Sequence, residues 1–177
     1  MAELEALLRE LLVELGQEIN SSVRQIRDLV PTLRPLATES SFASLIDSRD
    51  HEKRWSRKFE LTQLDVSTNP PMMPGRNRHG PQPPLDGRTI QLRHLELVWR
   101  TLGLADPIPS ASAVGSLKKL TLLRNEIAHR NESIVEVFRA AGRTADDIAT
   151  YIDDVILVIL HIGDQWSDYA ARSAYRA

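Results

Sequence analysis

The first 30 residues carry apolar side chains at helical spacing, and this pattern constrains the fold more than any other feature of the chain. Side chains three or four residues apart share one face of an α-helix, so the pattern predicts one amphipathic helix over residues 3–30, stopped by Pro31 and Pro35. We expect this stripe to face the core, with a coiled-coil dimer arm as the alternative. The stripe comprises Leu4, Leu8, Leu11, Leu15, Ile19, Val23, Ile26 and Val30.

The rest of the chain repeats this helical periodicity, and no segment shows the strict alternation typical of strands. The sequence therefore predicts an all-α fold, an antiparallel bundle of four to five main helices in a single domain over residues 1–177. The apolar run from Val155 to Leu160 predicts that the last helix is the most buried one. The second helix is expected to start at Ser40 or Ser41, and the third helix to end near Gly103. The motif helix has a candidate N-cap at Ser110 or Ser112, and the last helix has one at Thr144.

The second helix is crowded with charge between Arg49 and Lys58, and Trp55 and Phe59 lie four residues apart on one of its faces. We expect a solvated helix that is anchored by these two aromatic side chains. The alternative is a basic surface that faces RNA, formed by Arg54, Arg57 and Lys58. In the third helix we expect His94 at the surface or at its boundary.

Residues 66–88 are predicted to be a loop, because six of the ten prolines and three of the eight glycines lie there. A loop of this length inside a domain is usually functional or disordered. It carries the basic residues Arg76 and Arg78. The two interpretations are a mobile insertion and a flap that helps to hold a polyanion.

Composition excludes several classes of function. A net charge of -2 gives no global basic field, so any contact with nucleic acid requires a local patch. The absence of cysteine excludes disulfides, thiolate zinc sites and cysteine nucleophiles. Glu3 and Glu5 stand where a signal peptide would be basic, and the longest uncharged apolar run is too short for a bilayer span. We expect a soluble, cytoplasmic protein.

The stretch LKKLTLLRNEIAHRNES, residues 117–133, places an arginine inside an apolar helical stripe. Arg124 projects among the leucines of this stripe, where a charge costs several kcal/mol unless it is paired. One interpretation is structural: Arg124 pairs with Asp153 or Asp154, and His129 interacts with the dipole at its helix end. The other is a functional site, because Arg124, Asn125 and His129 form one arc on the helix.

The string LRNEIAHR resembles the Arg-x4-6-His motif of the HEPN superfamily of small helical bundles, in the RN-x-x-AH form of prokaryotic HEPN ribonucleases. The resemblance covers Arg124 to His129 only, in an all-helical chain of suitable size. It implies a metal-independent endoribonuclease that works as a homodimer, with a composite site at the facing motif helices. Such a site needs no metal and no cofactor.

The resemblance assigns catalytic roles to Arg124, Asn125 and His129. Imidazole, with a reference pKa of about 6.5, can serve as base for the RNA 2′-OH or as acid for the leaving 5′-oxygen. Guanidinium can bind phosphate oxygens in bidentate fashion and stabilise the growing negative charge, and the amide of Asn125 can orient the histidine or hold a phosphate. The expected substrate-binding cations are Lys118, Arg130, Arg76 and Arg78.

The expected partners are RNA, a second copy of the chain, and a regulatory or antitoxin protein, in a toxin or antiviral defence system. Some HEPN toxins carry a modifiable tyrosine shortly after the motif, whereas here the next one is Tyr151, so control by that route is not supported. A non-catalytic HEPN dimer that binds nucleotide, RNA or a partner protein is the alternative. A DNA-binding helix-turn-helix at GRTADDIATYI is weakly indicated, because its second helix is acidic and then apolar.

Overall fold

The computed structural model describes residues 2–38, 49–73, 90–129 and 133–177, together with Ser41 and Leu45. Across these residues the chain forms helices and short 3₁₀ turns without a strand, which confirms the all-α prediction. Residues 67–73 of the predicted loop are not helical, and its remainder lies outside the described residues. The helices are α1 Ala2–Ser22, α2 His51–Thr62, α3 Leu92–Leu102, α4 Ala111–His129, α5 Ile134–Ala140 and α6 Ala145–Ala171.

The N-terminal stripe is buried in the core of its own chain, so the prediction of a core-facing helix is confirmed and the coiled-coil arm is excluded. It belongs to one cluster with residues of α3, α4 and α6. Burial of this many aliphatic side chains is the main stabilising contribution to a bundle of this kind. The buried apolar residues that α1 contributes to this cluster are Leu4, Leu8, Leu12, Leu15 and Ile19.

The prediction that this helix continues to residue 30 is wrong, because α1 ends at Ser22. Beyond that point the backbone exchanges helical hydrogen bonds for bonds to distant segments. The N–H of Ile26 donates to the carbonyl of Asn69 (2.9 Å), and the N–H of Val30 donates to the carbonyl of Tyr175 (3.0 Å). Tertiary pairing thus overrides a helical pattern that persists in the sequence.

Helix α4 lies antiparallel to α6 and packs more extensively against it than against any other helix. The direction follows from two contacts, because the contacting residue with the higher number on α4 meets the one with the lower number on α6. The Ser116 hydroxyl donates to the Asp154 carboxylate (2.5 Å), and the Lys119 ammonium lies 4.8 Å from the centroid of the Tyr151 ring. The motif helix is therefore held by α6 along its length.

The predicted helix ends are confirmed where the sequence offers a capping side chain. The Ser110 hydroxyl accepts from the N–H of Ala113 (3.1 Å), which satisfies a free donor at the start of α4. The Thr144 hydroxyl accepts from the N–H of Asp147 (3.1 Å) at the start of α6. Gly103 follows α3 with φ of 72°, a left-handed conformation that glycine adopts without steric cost.

The cap of α6 predicts an acid-sensitive contribution to stability. The backbone N–H and the hydroxyl of Thr144 both donate to the Asp147 carboxylate (2.9 Å each), and these bonds lower the pKa of Asp147. Because the folded pKa is below the unfolded one, this stabilisation is present above the unfolded pKa and is lost as pH falls through the folded pKa. We expect the free energy of unfolding of Asp147→Asn, measured in urea, to fall less than that of the unsubstituted protein between about pH 6 and about pH 3. An identical fall in both proteins would contradict this assignment.

The position predicted for His94 is wrong, because the side chain is buried. Its Nδ1 accepts a hydrogen bond from the N–H of Gln91 (3.0 Å), the residue that precedes α3. The imidazole thereby satisfies a backbone donor at the start of the helix, as an acid or amide does in a capping box. The sequence did not reveal this role because histidine is uncommon in it.

Trp99 anchors α3 to α6, and its indole N–H donates to the side-chain oxygen of Gln165. It is among the largest fully buried side chains. We expect Trp99→Ala to lower the free energy of unfolding by about 3–5 kcal/mol, because the substitution leaves a cavity and removes the donor to the side-chain oxygen of Gln165. Leu97→Ala, at an exposed position of the same helix, is the control and should cost no more than about 0.5 kcal/mol. Equal losses in urea denaturation would mean that α3 is not packed as described.

The prediction that α6 is the most buried helix is wrong, because a larger share of α3 is buried. Val155 and Val158 lie in the core, whereas Ile156, Leu157 and Leu160 are exposed on the outer side. The described neighbours of α6 cover only one of its sides, and an all-apolar run does not reveal which side that is. The exposed side of α6 is aliphatic and its first turn is acidic, which does not suit a helix that contacts DNA phosphates. No helix in the described part of the chain is both long and apolar enough to cross a bilayer.

Helix α2 begins at His51, so the prediction of one continuous helix from Ser40 or Ser41 is wrong. Ser40 lies outside the described residues, and the backbone is not helical at residues 49 and 50. The Asp50 carboxylate caps the new helix by accepting from the N–H of Glu52 (2.9 Å). None of the residues of α2 is buried, which agrees with a solvated helix. The expected aromatic anchor is wrong, since both aromatic side chains of α2 are exposed.

Candidate functional site

One side of α4 is open to solvent and carries two of the predicted catalytic residues. We call this the motif face and define it by Lys118, Leu122, Asn125 and His129, which lie within about 60° of one another around the helix. Lys118 and His129 are exposed, Asn125 is half-buried, and Leu122 is 64% exposed. A large aliphatic side chain thus stands in water among the polar groups of the motif.

Arg124 lies on the opposite, core-facing side of α4, about 140° around the helix from His129. Nearer the start of α4 this side is fully buried, as Leu117 shows. One turn on, Leu120 is half-buried, and at Arg124 the side chain is exposed. The core ends here in an open groove, and the guanidinium reaches water through it. This explains how the arginine is tolerated within an apolar stripe.

The groove has a volume of about 460 Å³, within the range of small-molecule sites. Its walls are mostly aliphatic, with one aromatic ring from α5, and its charged groups are Arg124 and two glutamates from the first turn of α1. One of them, Glu5, is paired with Arg9 (2.9 Å). The residues that line it are Ala2, Glu3, Glu5, Leu120, Leu123, Arg124, Ile127, Phe138 and Ile152.

Arg124 makes one side-chain hydrogen bond, a long one. Its Nη1 donates to Oδ1 of Asn125 at 3.4 Å. Among the described residues no carboxylate lies within ion-pair distance of the guanidinium. Asn125 lies between Arg124 and His129 around the helix, so this bond draws the guanidinium from the groove towards the motif face. Most of the donors of Arg124 remain open to an incoming anion.

The alternative ion pair between Arg124 and the last helix does not form. Asp154 accepts instead from the hydroxyls of Ser112 (2.9 Å) and Ser116 (2.5 Å), two turns or more before Arg124 on α4. Asp153 is exposed. The acids of α6 therefore fix the beginning of the motif helix, and the structural explanation of Arg124 is wrong.

His129 is the last residue of α4 and is exposed. In this position an imidazolium would interact favourably with the helix dipole, as the structural alternative expects. The same position leaves both ring nitrogens open for proton transfer with a bound molecule. Geometry therefore allows both roles, and chemistry must separate them.

Of the four predicted substrate-binding residues, the structure describes one, Lys118. Lys118 lies on the motif face, about two turns before Asn125. Arg130, Arg76 and Arg78 lie outside the described residues. Glu3, Glu5, Phe138 and Ile152 were missed, because three other elements bring them to the groove and no local pattern links them to the motif. Within the described residues, no group of three or more His, Asp or Glu side chains could hold a metal ion.

No known protein-family model, curated protein or solved structure matches this chain. The assignment of function therefore depends on the motif and on its surroundings in the fold.

Proposed function

We propose that this protein is a HEPN-like, metal-independent endoribonuclease that acts as a homodimer in the cytoplasm, as a toxin or defence effector. The catalytic residues are Arg124, Asn125 and His129. The substrate is RNA, and Lys118 contributes to binding its phosphates. A regulatory protein that restrains the nuclease belongs to the same proposal.

The observation that carries the proposal is the state of Arg124. An arginine inside an apolar stripe has a simple structural explanation if a buried carboxylate pairs with it. Here the guanidinium is exposed at the edge of a groove, and its hydrogen bond to Asn125 is long. A guanidinium with open donors is suited to binding phosphate oxygens in bidentate fashion.

The chemistry requires two proton transfers. One imidazole of His129 accepts the proton of the RNA 2′-OH, and the 2′-oxygen attacks the adjacent phosphorus. The bond from phosphorus to the 5′-oxygen breaks, and a second, protonated imidazole donates to that oxygen. The products are a 2′,3′-cyclic phosphate and a 5′-hydroxyl. Arg124 stabilises the charge on the non-bridging oxygens, and Asn125 positions its guanidinium.

Two imidazoles at one phosphate require a second copy of the chain. If two motif faces meet about a two-fold axis near Asn125, each His129 lies about 6 Å along its helix from the axis. The two histidines then flank the space between the helices, where a phosphate would bind. Leu122, about one turn from Asn125, lies in the same contact. This geometry supports a composite site and gives the exposed leucine a role.

Leu122→Glu tests the dimer directly. Burying two unpaired carboxylates in the contact costs several kcal/mol, so we expect the dimer dissociation constant to rise by about 100-fold or more. Cleavage should be lost in parallel at concentrations where the variant is monomeric. Leu97→Glu, at another exposed leucine, is the matched control and should remain dimeric in sedimentation equilibrium. A protein that is monomeric while it cleaves RNA would contradict the composite site.

A second candidate, a non-catalytic dimer that binds nucleotide or RNA, is favoured by the groove beside Arg124. The same guanidinium can hold a phosphate without any cleavage. The two functions separate when purified protein is incubated with single-stranded RNA in EDTA and both bound and cleaved RNA are measured. Cleavage supports the nuclease, whereas tight binding of intact RNA supports the binding protein. If RNA is neither bound nor cut, the nuclease and the RNA-binding protein are both wrong, and only nucleotide binding is left of the second candidate.

A further inference from the structure

Helix α2 presents its two aromatic side chains to solvent. Trp55 is 73% exposed and Phe59 is 67% exposed, and they are four residues apart, so their rings lie next to each other along one face. The half-buried residues of α2 are Arg54 and Leu61, about 100° to 160° around the helix from the rings. The helix thus rests on an arginine and a leucine and turns its largest apolar groups outward.

This arrangement is costly unless a ligand covers the rings. Each aromatic side chain offers about 150–250 Å² of surface, and monomeric proteins rarely leave such groups adjacent and exposed without a binding role. The sequence predicted an aromatic anchor because two adjacent aromatic side chains are usually buried. Among the described residues nothing covers the two rings, so a ligand that stacks on them would remove this apolar surface from water.

The surrounding charges identify the chemistry of the partner. Helix α2 carries four basic side chains against two acidic ones, in a chain whose net charge is -2. The Lys58 ammonium lies 5.9 Å from the centroid of the Trp55 ring. Arg57 is paired with Glu60 (2.6 Å) and Lys53 with Asp50 (3.9 Å), so Lys58 and the half-buried Arg54 have no acidic partner among the described residues. Cations beside two flat rings match a polyanion that carries flat, apolar groups.

We propose that α2 is a stacking platform for single-stranded nucleic acid. Trp55 and Phe59 each stack on one unpaired base, and Lys58 contacts a phosphate beside them. A spacing of about 5–6 Å between the two side chains suits two successive nucleotides of an extended strand. A protein groove is a poorer match, because lysine is depleted in the cores of protein interfaces.

The platform is separate from the motif face and does not depend on nuclease activity. In the proposed nuclease it adds a local attraction for RNA that the net charge of the chain cannot provide. In a chain that does not cleave, it would bind single strands all the same. Binding of single strands by the platform can therefore be measured independently of RNA cleavage.

The test uses full-length protein and labelled oligonucleotides that cannot be cleaved: a 2′-O-methyl uridylate strand, a thymidylate strand, and a DNA duplex. Fluorescence anisotropy gives the dissociation constants at low salt. Stacking on one base corresponds to a change of about 5- to 150-fold, so Trp55→Ala and Phe59→Ala should each weaken binding of a single strand by this factor. Trp55→Phe should retain most of the affinity. The duplex should bind more weakly, because its bases are already stacked.

Matched controls separate stacking from general attraction. Lys58→Gln should weaken binding more than Lys53→Gln, because Lys53 lies about 160° around the same helix from Trp55. Ile156→Ala, at an exposed aliphatic residue of α6, should have no effect. Trp99 and Trp166 are buried, so quenching of the tryptophan emission accessible to solvent reports on Trp55.

Several outcomes would overturn the proposal. One is that neither single strand binds detectably. Another is that the Trp55→Ala variant and the unsubstituted protein bind a single strand with equal affinity. Self-association that Trp55→Ala abolishes, with nucleic-acid binding unchanged, would assign the surface to a second copy of this chain. Preference for the ribose-type strand supports RNA as the ligand, and equal affinity for both strands supports stacking without selection of the sugar.

Discussion

We expect His129→Ala to lower the rate of the proposed RNA cleavage by about 100- to 10,000-fold, the usual contribution of a positioned general acid or base. Removing the imidazole leaves the 2′-OH without a proton acceptor and the 5′-oxygen without a donor. Because His129 is exposed at the end of α4, the fold should be unaffected. The measurement is the single-turnover rate on a labelled RNA in EDTA, together with the urea midpoint of each protein.

His161→Ala is the matched control for this substitution. His161 lies on α6, where its Nε2 bonds to the carbonyl of Asp106 (3.1 Å), away from the motif face. We expect the control to cleave at the rate of the unsubstituted protein. A His129→Ala variant that cleaves as fast as this control would remove His129 from the mechanism and leave the dipole interaction as its role.

We expect Arg124→Ala to lower the rate of the proposed cleavage by about 100- to 1,000-fold, the typical effect of removing one donor to the developing charge. Arg124→Lys should recover only part of this loss, since lysine keeps the charge but not the bidentate geometry. Binding of uncleavable RNA should weaken less than the rate falls, because charge on the oxygens grows in the transition state. Rates and dissociation constants measured on the same oligonucleotide give this comparison.

The structure separates this prediction from a structural role for Arg124. The side chain is exposed and makes one long hydrogen bond, so the free energy of unfolding should change by no more than about 0.5 kcal/mol. Arg100→Ala, at an exposed arginine of α3, is the control for loss of positive charge. If Arg124→Ala unfolds the protein while Arg100→Ala does not, the arginine holds the fold together and the proposed site is wrong.

The sequence predicted the elements whose signals are local. The stripe of α1 faces the core, and the caps at Ser110 and Thr144 lie where hydroxyl side chains precede helical patterns. It did not predict the end of α1 at Ser22, because the backbone bonds that replace the helix come from residues 67–69 and from the C-terminal residues. Such bonds join segments far apart in the chain and leave no periodic signal.

The surfaces of α2 and α6 show the limit of pattern analysis more clearly. Apolar periodicity indicates that one side of a helix is apolar. That this side is buried is then inferred, because apolar sides of helices usually pack in the core. The outer aliphatic residues of α6 and the rings of α2 are exceptions, because no described helix covers them. Exceptions of this kind mark places where a partner is expected.

For the candidate site, the sequence predicted the arc of three polar residues on one helix from the helical repeat. It could not predict that the core ends at Arg124 in a groove, because α1, α5 and α6 contribute the other walls. The local motif thus located the residues, while the fold determined that the guanidinium is accessible. Arg130, Arg76 and Arg78 remain predictions for substrate binding.

We propose that the exposed side chains of Arg124 and His129 cleave RNA by promoting attack of the RNA 2′-hydroxyl on the adjacent phosphate. The most direct measurement is the chemistry of the new RNA ends, determined by mass spectrometry after cleavage in EDTA by the unsubstituted protein and by His129→Ala. We expect 2′,3′-cyclic phosphate or its opened product with a 5′-hydroxyl from the unsubstituted protein, and loss of these ends in the variant. Ends with a 3′-hydroxyl and a 5′-phosphate, or the same cleavage by both proteins, would contradict it.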